Sequence, residues 1–216
     1  QKFFGIGDEM PASAEESYTP RVVTFQAGLK KKFLGHLFAG VQFDFEQMTM
    51  ETVEPGGILD AGDITGSRGG LLSGFGVSID WDTRDGVIFP RRGVYLQLSA
   101  DTYGALTGSD FTFTSLKADF RKYLPVNPNH VLALQVLFRS ENGDVPFHKL
   151  ALIGGDSLMR GYYRGRYRDK SLLAFQGEYR VTVWKRIGVA GFAGLAAVFP
   201  RLADLRLDRL KYSLGT

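Results

Sequence analysis

The 216-residue chain contains no cysteine. That excludes a disulfide framework, a thiol nucleophile and any cysteine-ligated metal. Its three histidines, His36, His130 and His148, are too scattered to suggest a metal cluster. No run of about 18 consecutive apolar residues occurs, so no segment qualifies as a transmembrane helix. The start, Gln1-Lys2-Phe3-Phe4, leads directly into polar residues and carries no signal-peptide pattern. Charge of one sign is also lacking: 26 Lys and Arg oppose 23 Asp and Glu, and a net charge of +3 is too weak to argue for nucleic acid. What the chain does have is glycine, 27 residues, and aromatics, 17 Phe and 9 Tyr. With 44% hydrophobic residues, this composition suits a large β-barrel whose strands turn every second residue toward a polar interior.

Period-two alternation dominates the pattern. Val23, Phe25, Ala27 and Leu29 alternate with Thr24, Gln26, Gly28 and Lys30. Leu37 to Phe45 opposes Gln42, Asp44 and Glu46, and Phe75, Val77, Ile79 and Trp81 oppose Ser78, Asp80, Asp82 and Arg84. The same rhythm runs through 94–101, 116–121, 132–139 and 173–183, with further strands expected over 187–199 and 207–215 and a stub at 2–5. This gives about nine full strands plus the stub, with no convincing helical period. The strands are long for a soluble sandwich. Nearly every polar face is also charged, which suits a water-filled interior. The expected fold is therefore all-β, an antiparallel transmembrane β-barrel.

The connections alternate in length. Leu34-Gly35, Gly86–Arg92, Pro125–Asn129 and the turn at Lys185 are short. The links over 49–70 and 140–170 are long, with 105–110 between. Outer-membrane barrels have short periplasmic turns and long outer loops, so 49–70 and 140–170 are assigned to the extracellular side. A loop of about 30 residues without its own periodicity is usually functional or disordered. This one carries Gly154-Gly155-Asp156-Ser157-Leu158-Met159-Arg160-Gly161-Tyr162, followed by Gly165-Arg166-Tyr167-Arg168-Asp169. Ser157 lacks the strand–turn–helix setting of a nucleophile elbow. Asp44 and Glu46 are same-face neighbours that suit pore lining better than acid–base chemistry. No catalytic constellation, metal site or cofactor site is found.

The loop resembles the signature loop of the bacterial surface antigen superfamily, with Met159-Arg160-Gly161-Tyr162 at its hydrophobic-Arg-Gly-aromatic core after the paired Gly154 and Gly155. Asp82-Thr83-Arg84-Asp85, Phe89-Pro90 and Arg92-Gly93-Val94 resemble the family's hairpin, in which Asp82, Arg84, Asp85, Pro90 and Gly93 have an architectural part. Gly177-Glu178-Tyr179-Arg180 resembles the strand after the signature loop. The matches span about residues 70 to 215, in the family's order.

The resemblance implies a 1–216 segment of an outer-membrane barrel of about sixteen strands, in which strand 171–184 corresponds to the twelfth. It also implies that the 140–170 loop folds into the lumen. Arg160 would be the inserted arginine and Glu178 its carboxylate partner, with Phe192 adding a cation–π contact. The family's second carboxylate sits in Phe-x-Asp-x-Gly, but here Phe192-Ala193-Gly194 offers no side chain at that place. Arg160→Ala is expected to loosen the loop, and Glu178→Gln to copy it more weakly.

The implied localisation is the bacterial outer membrane. The implied partners are outer-membrane lipid, client or translocated polypeptides, and periplasmic or lipoprotein accessory subunits, with no nucleic acid and no cofactor. The implied function is assembly of outer-membrane proteins or translocation of polypeptides. The alternative is a barrel that anchors or exports a fused lipase or phosphoesterase encoded upstream.

Overall fold

The structure, a computed structural model, describes residues 1–184 and 187–216. The expected turn at Lys185 lies outside the described residues. Twelve strands are present among them: β1 (Lys2–Phe3), β2 (Glu16–Leu34), β3 (Leu37–Val53), β4 (Gly69–Asp82), β5 (Gly93–Tyr103), β6 (Phe113–Asn127), β7 (His130–Gly143), β8 (Ala151–Ile153), β9 (Tyr167–Asp169), β10 (Ser171–Trp184), β11 (Ile187–Phe199) and β12 (Lys211–Gly215). Ten form one antiparallel sheet in the order β1-β2-β3-β4-β5-β6-β7-β10-β11-β12. Strands β8 and β9 form a separate small hairpin. The helical content is one four-residue turn, Ile58–Ala61, and short 3₁₀ turns.

The long meander follows from the alternation. Each full strand from β2 to β11 is at least as long as the roughly 9–11 residues that a tilted strand needs to cross a bilayer. One face of the sheet is apolar and open: Phe25, Leu29, Val41, Phe75, Val77, Ile79, Leu98, Leu134, Phe175 and Leu195 are all exposed. So wide an apolar face is incompatible with water and suits acyl chains. The opposite face, here the inner face, carries the polar partners. Asp80 is almost fully buried there and accepts from Lys30 at 2.9 Å, Tyr95 at 2.8 Å and Gln97 at 3.1 Å. Asp119 takes both arms of Arg121, and Gln135 donates to it at 2.9 Å. The register is thus fixed by one dry face and one hydrogen-bonded face, since a slip of one residue would exchange them.

This makes labelling of β7 a direct check. A cysteine at Leu134 is expected to react with a lipid-phase reagent and one at Gln135 with a water-phase reagent. The reverse pattern would overturn the register.

Three features depart from the sequence reading. The last strand starts at Lys211, not Leu207, because Leu207–Arg209 closes a 3₁₀ turn and Arg209 is drawn to Asp8 and Glu9, at 3.5 and 2.7 Å. Connection lengths do not alternate strictly: β4 ends at Asp82, so the 83–92 hairpin is as long as the 104–112 link on the other side. The 140–170 loop also has regular structure of its own, the β8–β9 hairpin, whose three-residue strands are too short to leave a period.

Candidate functional site

The loop between β7 and β10 packs on the inner face of the sheet. Ala151 and Ile153 of β8 are fully buried against Leu172 and Ala174 of β10 and Ala196 and Val198 of β11. Its first arm brings Val145, Phe147 and Leu150 onto Phe3, Tyr18, Met48 and Leu72. These inward positions are apolar at the loop end of the wall and polar further along. The loop therefore has a hydrophobic seat as well as polar contacts.

The tip is set by Met159. It has φ 53°, the sole positive φ at a non-glycine among the described residues, and its side chain is fully buried. A methionine held in the left-handed region marks a backbone constrained by its surroundings. Those surroundings are visible. Its N–H donates to Gln176 Oε1 at 2.7 Å, and Gln176 Nε2 donates to the Ser157 carbonyl at 3.0 Å and to Gln135 Oε1 at 3.1 Å. The sulfur lies over Gly194, where an added Cβ would come within 2.8 Å of it. The position that holds the second carboxylate in the family pattern is here the floor under a methionine.

Arg160 follows and reaches Glu178 Oε2 in a short charge-assisted bond. Its guanidinium also lies 3.8 Å from the centroid of the Phe192 ring. The ion pair and the cation–π contact therefore coexist. Glu178 has a second cation that the sequence reading did not assign: Arg180 Nε donates to Oε1 at 2.6 Å. Arg180 is two residues on along the same strand face, so the period-two pattern was enough to find it. Gly154 is buried under the Tyr162 and Tyr163 carbonyls, and Gly155 N–H donates to the Tyr162 carbonyl at 3.1 Å. Tyr162 packs on Tyr167 with centroids 5.9 Å apart, and Gly161, between Arg160 and Tyr162, turns the chain at φ 102°.

The 83–92 hairpin is a separate unit at the other end of the sheet. Arg84 forks onto Asp82 at 2.9 and 2.7 Å and lies 4.2 Å from the Tyr95 ring centroid. Asp85 accepts from the Arg91 N–H at 2.9 Å, and the Arg91 and Arg92 N–H groups hold its carboxyl below the usual carboxylate range. Pro90 is buried, and its carbonyl faces Arg180 Nη1 at 3.5 Å. Gly93 has φ 109°, and a Cβ there would collide with the Thr83 carbonyl. Gly93→Ala is therefore expected to destabilise by more than about 1 kcal/mol, where the same change at an unstrained loop glycine would be mildly stabilising. The expected readout is a lower yield of the heat-resistant folded form on a gel; an unchanged yield would show that the hairpin relaxes.

A model of the Omp85 superfamily domain matches residues 14–201. The chain belongs to the Omp85 superfamily. Its place is the bacterial outer membrane, and the apolar outward face fits a lipid setting. Among solved structures, it is similar to "The crystal structure of BamA from Haemophilus ducreyi lacking POTRA domains 1-3". The TM-score is 0.67 at 15% identity, over 88% of this chain and 43% of that one. That likeness shows the shared barrel fold, and the chain spans less than half of the BamA chain. No curated protein matches it in sequence. Among the described residues, no group of His, Asp and Glu is placed to hold a metal ion.

Proposed function

We propose that this chain is wall and gating loop of an Omp85 barrel that inserts outer-membrane proteins or passes polypeptides across the outer membrane. The observation that supports it most directly is the seating of the 144–170 segment. Met159 and Arg160 bind the inner face through polar partners, Gln176 and Glu178, that a lipid anchor would not need, while the β8–β9 hairpin rests on its apolar end. Such a loop occupies the space that a passing or folding chain would use. Hydrogen bonds to wet side chains can be exchanged one at a time, whereas the backbone ladder of the wall cannot. The loop is thus the part of the assembly free to move while the barrel persists. On this reading the loop connections lie outside the cell and the 83–92 hairpin faces the periplasm.

The test is reconstitution of the full-length protein in liposomes with an unfolded outer-membrane barrel as client. Faster client folding than in empty liposomes, or protease protection of a translocated polypeptide, is the expected result. If neither occurs at any protein density, the assembly and translocation reading is wrong.

A further inference from the structure

A cavity of about 500 Å³ lies between the first arm of the loop and the inner face of β2 and β3. It is separate from the Arg160–Glu178 contact. Lys2, Lys149, Arg164 and Arg168 line it, with Tyr18 and Tyr163. One carboxylate faces it, Glu46, which is already occupied by His148 Nε2 at 2.9 Å and Lys149 Nζ at 2.7 Å.

Arg168 is the unusual member. It is 3% exposed, and no carboxylate pairs with it among the described residues. Its guanidinium lies 4.9 Å from the Phe3 ring centroid and 5.7 Å from that of Phe147, and Nη1 donates to the Phe147 carbonyl at 3.2 Å. The buried Nε has no acceptor. Burying a guanidinium without a counter-ion is costly, and aromatic faces, the Tyr18 hydroxyl and one carbonyl return only part of that cost. Desolvation accordingly lowers the Arg168 pKa. Arg164 is exposed at the same cavity; Lys2 is held by Glu15 and Lys149 by Glu46, which leaves Arg164 and Arg168 as the cations there without a carboxylate among the described residues.

We propose that this cavity is an anion site that takes a phosphate group, with Arg168 at its buried end and Arg164 and Lys149 at its open side. Guanidinium forks and an ammonium converging from several elements suit tetrahedral phosphate oxygens better than one planar carboxylate. The Tyr18 and Tyr163 rings leave room for the group that carries the phosphate. The source is either a free phosphate or a lipid headgroup, and the chemistry of recognition is the same. The inference does not depend on the assembly reading, because binding is measured without any client.

The experiment titrates the full-length protein in detergent with inorganic phosphate, against sodium chloride of equal ionic strength. A second arm uses mixed micelles of phosphatidic acid against phosphatidylcholine. Saturable binding in the first arm assigns a free phosphate, and binding in the second alone assigns a headgroup. Either supports the site if Arg164→Met weakens it about tenfold, the effect of one charge-assisted contact. Arg168→Met, where it folds, should abolish binding. Arg164 is exposed, so its substitution keeps the test valid if Arg168→Met does not fold. No binding in either arm, or unchanged affinity in Arg164→Met, overturns the proposal.

Discussion

Arg160→Ala in the full-length protein is expected to leave membrane insertion and the heat-resistant folded form near normal while client folding in liposomes falls by an order of magnitude or more. The wall keeps every ladder bond, since the Arg160 side chain meets it, among the described residues, through Glu178 and Phe192. The loss falls on the loop. A hydrogen bond to a charged group contributes about 1.5–3 kcal/mol and a cation–π contact about 0.5–2 kcal/mol. The Arg160 side chain is 37% exposed, so solvent screening trims both. A net loss of about 2 kcal/mol would raise loop opening roughly thirtyfold. Limited proteolysis between residues 154 and 166 measures that opening directly. Unchanged cleavage together with unchanged client folding would remove Arg160 from the mechanism.

Arg180 alters the expectation for its partner. The sequence alone ranks Glu178→Gln as the milder change. In the structure Glu178 pairs with two guanidinium groups at once, one on each carboxylate oxygen. An amide there leaves Arg160 and Arg180 close together with no carboxylate between them, so Glu178→Gln is expected to loosen the loop at least as much as Arg160→Ala. Milder cleavage in Glu178→Gln would mean that Arg180 finds a substitute, for which the Pro90 carbonyl is within reach.

Gly194→Asp is expected to have the other large effect, and an instructive one, because it restores the carboxylate that the family pattern places there. The added Cβ would sit 2.8 Å from the Met159 sulfur and 3.2 Å from Ser213 Oγ. Overpacking of this kind costs about 1–3 kcal/mol, and a carboxylate set at a buried position among Met159, Ser213 and Gln176 adds a desolvation cost unless it turns to Arg160. The single variant should therefore unseat the loop tip, visible as protease sensitivity and a lower thermal midpoint of the folded band. Adding Met159→Ala to Gly194→Asp should recover much of the loss, because it vacates the volume the carboxylate needs. The two changes are then strongly non-additive. A Gly194→Asp variant indistinguishable from the parent would show that Met159 does not occupy this groove.

Much of the wall was legible in the sequence because alternation is a local signal. Once one face must be apolar and the other polar, Leu134 and Gln135 have no choice of side. The Asp82–Arg84 pair and Gly93 were likewise readable, since a fork over two residues and a left-handed glycine are short-range events. The hairpin within the loop was not, because three-residue strands carry no period. Arg168 and its cavity were also out of reach. They depend on Phe3, Glu46 and Phe147 meeting, and these lie far apart in the chain.

The sequence by itself determined a β-structured wall with its lipid and water faces, and it singled out the 140–170 loop by its motif. The tertiary structure decided what that loop binds. It gave Glu178 two arginines, laid Met159 over the glycine that stands where the family pattern has a second carboxylate, and left Arg168 without a counter-ion among the described residues. The physical reason is range: pleat and turn geometry act between neighbours, whereas the pairing of charges across an interior depends on which strands close around it.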